Sequence, residues 1–388
     1  MKKYDFDQVI NRKNTYSTQW DYIADRFGRN DILPFSISDT DFAVPDSVQE
    51  ALKKRIEHPI YGYSRWNHDD YKDSIVYWFK TMNNVDINPE WIVYSPSVVF
   101  SIGTFIRMLS KPNETVATFT PMYDAFYKVI ESNQRNLSPV RLGSAQQGYQ
   151  VDWDSLETVL SQEQTKIFLL TNPHNPTGKV FSQTELNRIN DICKRNNVFL
   201  ISDDIHKDIV YSQTQYTPIT SVTTESTILC CSGSKTFNTP GLIGSYILIP
   251  DKTLREQFLV ELKSKNALSS VSILGMYAQM ASYSEDGLNY VKQLVDYTDK
   301  NMDMVKEFLD KNLPNFRFTK PEATYLAWID ISNVDMDMKE MQDKMINVGK
   351  VGIMAGSTYG DSNYLRMNIA CPKSKLEEGL KRLKNSFN

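Results

Sequence analysis

Between residues 91 and 250 the chain alternates short apolar runs with helix-length segments or polar turns, and this alternation restricts the fold more than any other feature. WIVYS (91–95) leads into SVVFSIGTFIRML (97–109), and ETVATF (114–119) into TPMYDAFYKVIES. KIFLL (166–170) runs through TNPHNPTGKV to the amphipathic SQTELNRINDICKRNN (182–197). VFLIS (198–202) precedes DDIH, TILCCS (227–232) opens into a Ser/Gly turn, and GSYILIP (244–250) follows. A strand apolar on both sides needs cover on both faces. Strands of this kind separated by helices predict a mostly parallel sheet flanked by helices, the α/β class.

Beyond residue 251 the pattern changes to long polar helices, LREQFLVELKSK and DGLNYVKQLVDYTDKNMDMVKEFLDKN. Two further strand-like runs, ATYLAWIDI (323–331) and YLRMNIA (364–370), suit a smaller α+β unit. At 388 residues the chain exceeds the usual size of one core, so more than one domain is expected. The expected division is an N-terminal arm with part of the small domain (1–45), a large domain (46–285) and a C-terminal small domain (286–388).

Charge and composition remove several functional classes. Lys and Arg number 43 against 47 Asp and Glu, and no basic stretch stands out, which argues against nucleic acid as a partner. The N-terminal segment has no apolar secretory core, and no run approaches the roughly 18 apolar residues of a membrane span. A cytoplasmic protein without membrane contact is expected. The cysteines (Cys193, Cys230, Cys231, Cys371) show no CxxC spacing, and reduced packing thiols are expected. Four scattered histidines without HExxH make no zinc motif.

In open α/β sheets ligands bind beyond the carboxyl ends of the strands. There this sequence places SPSVV, where a helix N-terminus opens whose free N–H groups and dipole suit a phosphate. The next strand ends lead to Tyr123, to the turn carrying Asn172 and Asn175, to Asp203, Asp204 and His206, and to Ser232, Ser234 and Lys235. Phosphate donors, an aromatic plate, an amide, a carboxylate and a lysine suit one flat, phosphorylated aldehyde able to form a Schiff base, pyridoxal 5′-phosphate. A partly desolvated lysine is a nucleophile, and a carboxylate against the pyridine nitrogen keeps that nitrogen protonated. The plainer readings are a solvated surface lysine, a helix-capping aspartate, turn-capping serines and packing tyrosines. The apolar runs immediately before Asp203 and Lys235 disfavour the first two.

NPHNPTGK, SDDIH and SGSKTFNTPGL also resemble the motifs of fold-type-I pyridoxal-phosphate enzymes, the aspartate aminotransferase superfamily. YGYSRW (61–66), SDDIHKDIV and SKTFNTPGLIGSY are similar to the MalY/PatB-type cystathionine β-lyases, also called cysteine-S-conjugate β-lyases. The resemblance runs in order along nearly the whole chain. It implies Lys235 as the Schiff-base lysine, Asp203 as the pyridinium partner, and Asn175 as the amide bonding the ring hydroxyl. It further implies Tyr123 and Ile205 on the two ring faces, with Val98, Val99, Ser232 and Ser234 around the phosphate. Arg366 would clamp the substrate α-carboxylate, with Asn175 and Tyr123 beside it, and His206 stands near the ring where many aminotransferases carry tyrosine. Tyr63 would reach the phosphate of the neighbouring subunit in a homodimer.

Ile243 occupies the position where the superfamily often has a phosphate-binding arginine, a loss shared by the β-lyase branch. FSISDTDFAVP (35–45) replaces a Trp- or Val-rich version of the ADMDF motif. The implied activity is α,β-elimination from L-cystathionine or another cysteine S-conjugate, giving a thiol, pyruvate and ammonia. The alternatives are an aminotransferase on the same scaffold and a regulatory protein that retains the cofactor. No second basic clamp stands out in the sequence, which favours broad or apolar conjugates.

Overall fold

The computed structural model describes residues 2–268 and 270–387. Its strands are β1 (Leu33–Pro34), β2 (Ile92–Ser95), β3 (Thr115–Thr120), β4 (Asn136–Arg141), β5 (Thr165–Thr171) and β6 (Phe199–Asp203). These are followed by β7 (Thr227–Cys231), β8 (Ser245–Leu248), β9 (Leu326–Asp330), β10 (Val351–Gly352), β11 (Met354–Ala355) and β12 (Tyr364–Asn368). Seven of them form the main sheet in the order β2-β8-β7-β6-β5-β3-β4. Strands β3 to β7 pair in parallel, and β8 runs antiparallel to both neighbours. Every residue of β2, β7 and β8 is buried, as the unbroken apolar runs require.

Two differences from the sequence reading have physical causes. Strand β4 was not foreseen, because NLSPVR lies at the sheet edge, where only Val140 is buried and the other positions are exposed or partly covered, so it forms no apolar run. Strand direction was also hidden: GSYILIP reads like its parallel neighbours, and only pairing reveals that β8 is reversed.

Local signals start the covering helices. Ser97 caps Val98–Leu109 by accepting the Phe100 amide at 3.1 Å, and Ser182 with Glu185 makes a capping box for Gln183–Arg195. Glu285–Asn312 is the long helix, and it ties into the C-terminal unit where Asn301 donates to the carbonyls of Ile369 and Cys371. In that unit β11, β12 and β9 form an antiparallel sheet. The N-terminal arm joins it, because β1 pairs with β10 and Ile23, Phe27 and Ile32 pack against Trp328, Met354 and Tyr359. All four cysteines are buried and unbridged. Among the described residues no helix is long and apolar enough to cross a membrane.

One glycine fixes the turn after β5. Gly178 has φ +71°, and a Cβ there would collide with Pro321 Cβ and the Ala323 carbonyl. The NPTG turn therefore lies directly against the 321–323 segment. Replacing Gly178 with Ala combines a left-handed backbone penalty with overpacking, and should lower unfolding free energy by at least about 2 kcal/mol. Denaturant titration of G178A checks this; a midpoint equal to wild type would refute the assigned close approach.

Candidate active site

The parallel register sets the floor of the site. Thr171 of β5, Asp203 of β6 and Cys230 of β7 lie side by side, so three strands finish at one level. Successive strand side chains point to opposite faces, and this separates the two adjacent aspartates. Asp203 lines the cavity, while Asp204 faces the other way and is held by Ser202 and Tyr216. Asp204 is thus structural, as its neighbour's role leaves it.

The turn bearing Lys235 is anchored from beneath. Asp208 accepts hydrogen bonds from Thr236 Oγ1 at 2.9 Å, Trp78 Nε1 at 2.9 Å and Lys207 Nζ at 2.5 Å. Lys207 and Asp208 are almost fully buried, and the ammonium also faces the rings of Trp78, Phe79 and Tyr283. Removing one partner of such a pair costs about 3–5 kcal/mol, because the other charge stays buried. This anchor connects SDDIHKDI to SGSKT, and the sequence reading had not assigned it. Buried ionic residues carry no mark in a sequence apart from their apolar surroundings.

Above the sheet two chambers meet. The inner one, about 390 Å³, is lined by Val98, Val99, Tyr123, Asn175, Asp203, Ile205, His206, Ser232, Ser234 and Lys235, which are all the expected cofactor residues except Tyr63. The outer one, about 530 Å³, shares Tyr123 and Lys235 and adds Arg366. Tyr63 is 99% exposed on the segment before Trp66 and lies outside both. Ile243 also lines the inner chamber, at φ 49°, which is strained for a β-branched residue.

The donor set fits a phosphorylated aldehyde. Phe100 and Ser101 amides are satisfied by Ser97, leaving those of Val98 and Val99 without an acceptor among the described residues. Ser234 Oγ has no partner there either, while Ser232 Oγ donates to Gly244 O at 2.7 Å and shapes the turn. The buried His206 Nδ1 and Arg366 Nε lack partners as well. Arg366 lies on β12, stacks on Tyr359 at 4.2 Å, and donates to Asn175 Oδ1 (3.1 Å) and Ser36 O (3.0 Å). Orphaned buried polar atoms around one cavity indicate a polar ligand.

Burial tunes these groups in opposite directions. It lowers Lys235 to about 8, with Arg366 acting the same way against Asp39 and Asp203. It raises Asp203 to about 7, against the pull of the Ile205 amide and Lys235. A cationic nitrogen placed against Asp203 would restore its charge. His206 is driven down to about 3 by burial and by the positive Lys235 and Arg366, so it is a neutral imidazole.

A strap from Ser36 to Asp41 forms one wall, and its residues were missed as site residues. Lys235 Nζ donates to Ser38 O (3.0 Å) and Ser38 Oγ (3.2 Å), and Tyr325 hydroxyl sits between the Ser38 and Lys235 carbonyls. Asn368 holds the strap through the Ile37 and Asp39 carbonyls, and Asn238 through those of Thr40 and Phe42. The departure from the ADMDF motif was the available signal. A departure from a motif does not indicate which atoms face inward.

An open α/β sheet that gathers a desolvated lysine, an unpaired buried carboxylate and a helix opening at its strand ends defines a class: proteins built to hold a phosphorylated carbonyl compound on lysine. The chain belongs to the aminotransferase class I and II family, whose model matches residues 30–383. Protein MalY of Escherichia coli strain K12 is 41% identical over 386 residues, covering 99% of each chain. Cystathionine β-lyase PatB of Bacillus subtilis strain 168 is 34% identical, with 98% of each covered. Cystalysin from Treponema denticola, solved with pyridoxal 5′-phosphate, superimposes with a TM-score of 0.93 at 32% identity, covering 99% of each chain.

A lysine lowered by burial reacts as the free amine at a lower pH than a surface lysine. Labelling of Lys235 by trinitrobenzenesulfonate in cofactor-free protein, followed by peptide mass spectrometry, should rise with pH through a midpoint near 8. A midpoint above about 10, the ordinary lysine value, would contradict the assigned environment.

Proposed function

We propose that this chain is a carbon–sulfur β-lyase that takes pyridoxal 5′-phosphate and converts a cysteine S-conjugate into a thiol, pyruvate and ammonia. The observation that carries the reading is a lysine with a lowered pKa, the only one among the described residues, between a buried carboxylate and a buried, incompletely paired arginine. The named relatives support it, PatB as a cystathionine β-lyase and cystalysin by its cofactor. The residues lining the inner chamber would hold the cofactor, the Val98 and Val99 amides and Ser234 toward its phosphate, Asp203 toward its ring nitrogen, and Tyr123 and Ile205 toward its faces. When bound it supplies an electron-accepting ring that lowers the cost of charge at the substrate Cα.

The protein's own groups do the rest. Arg366 pairs with the substrate carboxylate through the donors not bonded to Asn175 and Ser36, which fixes the orientation of the Cα–H bond. Lys235 Nζ, freed as a neutral amine and steered by Ser38, takes the Cα proton. The same Nζ then carries that proton to the departing sulfur. Neutral His206 adds no charge that would compete for the carboxylate. The division into a large domain (46–285) and a small domain (286–388 with part of 1–45) is supported by the separate sheets and by the pairing of β1 with β10.

Lys235→Ala should retain the cofactor yet lower pyruvate release from L-cystathionine by at least about 10³-fold, within the range for loss of a positioned base. Pyruvate and free thiol are assayed without added keto acid. Transfer of the amino group to a keto acid, with no thiol released, would favour the aminotransferase reading, and appreciable K235A turnover would remove the lysine from its role.

The active assembly in this reading is a homodimer in which Tyr63 reaches the neighbouring phosphate. Ile56, Ile60, Tyr61 and Tyr63 expose 55%, 66%, 54% and 99% of their surface along one segment, an apolar stretch that suits cover by a second copy. Light scattering should give a dimer for wild type and a monomer for I60D/Y61D. Tyr63→Phe should stay dimeric and bind the cofactor about 10-fold more weakly, the loss expected for a hydrogen bond to a charged group. A wild-type monomer with full activity would refute the arrangement.

A further inference from the structure

The guanidinium assigned to the substrate α-carboxylate is a buried cation without a counter-ion. Arg366 is 3% exposed, and no carboxylate of the described residues lies within ion-pair distance of it. Asp124 lines the same outer chamber and forms no ion pair with it. Its polar partners are the neutral Asn175 Oδ1 and Ser36 O, and Nε has none. An unpaired charge in low dielectric is costly, so an arginine in this position needs another source of stabilisation.

An aromatic face supplies it. The Tyr359 ring centroid lies 4.2 Å from the Arg366 guanidinium carbon. The face of such a ring is negative and attracts a cation most strongly where both are desolvated, and Tyr359 is 1% exposed. The ring is itself held in place. Its main-chain carbonyl accepts the Met122 amide at 2.9 Å and the Tyr127 hydroxyl at 3.2 Å. Trp328, the residue opposite Arg366 in the β12–β9 register, meets the ring edge-on at 5.8 Å and stacks on Tyr364. A side-chain carboxylate here would stabilise the guanidinium but occupy the donors that a substrate needs. A π face stabilises it from one side and leaves the N–H edge open.

The plainer role for Tyr359 is packing, since it belongs to a cluster with Ile23, Phe27, Ile32, Trp328 and Met354. Packing asks for an apolar side chain of suitable volume, which Leu or Met also supplies, and does not require an aromatic face on the cation. We propose that Tyr359 is a positioning residue of the carboxylate site: its ring holds Arg366 in place of a counter-ion, so that the guanidinium edge stays free for the substrate α-carboxylate. The inference rests on Arg366 as the carboxylate clamp of the proposed function and adds a residue that acts through it. Its consequence is selectivity. The ring favours ligands that carry an α-carboxylate over amines that lack it.

The test uses two ligands that differ only in the α-carboxylate, S-propyl-L-cysteine and S-propylcysteamine. Their dissociation constants are read without turnover from the cofactor absorbance of K235A holoprotein. The ratio of the two, S-propylcysteamine over S-propyl-L-cysteine, should fall about 10-fold when Tyr359→Leu is added, the order expected for a desolvated cation–π contact. Tyr359→Phe keeps the face without the hydroxyl, and its ratio should stay within about threefold of the starting value. Tyr359→Met should repeat the leucine result and stands in for it if Y359L does not fold. With Lys235 intact, Y359L should raise KM for S-propyl-L-cysteine about 10-fold and change kcat by less than about threefold. A packing role weakens both ligands together, so a ratio within about threefold of the starting value in Y359L or Y359M overturns the proposal. A fall in Y359F as large as in Y359L overturns it too. Wild-type enzyme that cleaves no cysteine conjugate sinks the lyase reading, and the binding ratio still decides the role of Tyr359.

Discussion

Placement of the reactive amine depends on a buried ion pair one layer below it. Lys207 and Asp208 lie in a nearly water-free pocket, and Asp208 also receives Thr236, the residue next to Lys235. Neither charge can lose its partner without stranding the other in low dielectric. The constraint therefore holds the loop after β6, the loop after β7 and the helix carrying Trp78 in one relation. A lysine at the end of a strand would otherwise sweep through many rotamers. Fixed from beneath, it presents its amine to one cavity.

Desolvation supplies the rest of the chemistry, with opposite sign on opposite charges. The enclosure that brings Lys235 down to about 8 brings Asp203 up to about 7. An amine closer to neutrality and a carboxylate in want of a cation are complementary to one kind of ligand, a carbonyl compound with a basic ring nitrogen. The strap at Ser36–Asp41 closes this arrangement. It is held by Asn368 and Tyr325 from the small unit and by Asn238 from the large one, so the pocket wall belongs to both.

Much of this was legible in the linear chain because the features concerned are local. Ser97 and Ser182 announce their helices through hydrogen bonds three residues long. The apolar runs announce buried strands through continuity, and the candidate residues sought at the strand ends line one cavity, Tyr63 apart. The edge strand β4 was not legible, because partial exposure removes the apolar run that marks its neighbours. Ser38, Asp39 and Tyr325 were not legible either. Each acts on a residue far away in sequence, and nothing nearby records the partner.

The sequence by itself determined the class of fold, the level at which a ligand would bind, and the residue types meeting there, since each follows from periodicity and from what stands at a strand's end. Only the tertiary structure decided which of two adjacent aspartates faces the cavity, how far burial shifts the lysine, and which charges are left without partners. Those are questions of alternation, dielectric and long-range pairing, and they acquire an answer only when distant segments share one enclosed volume.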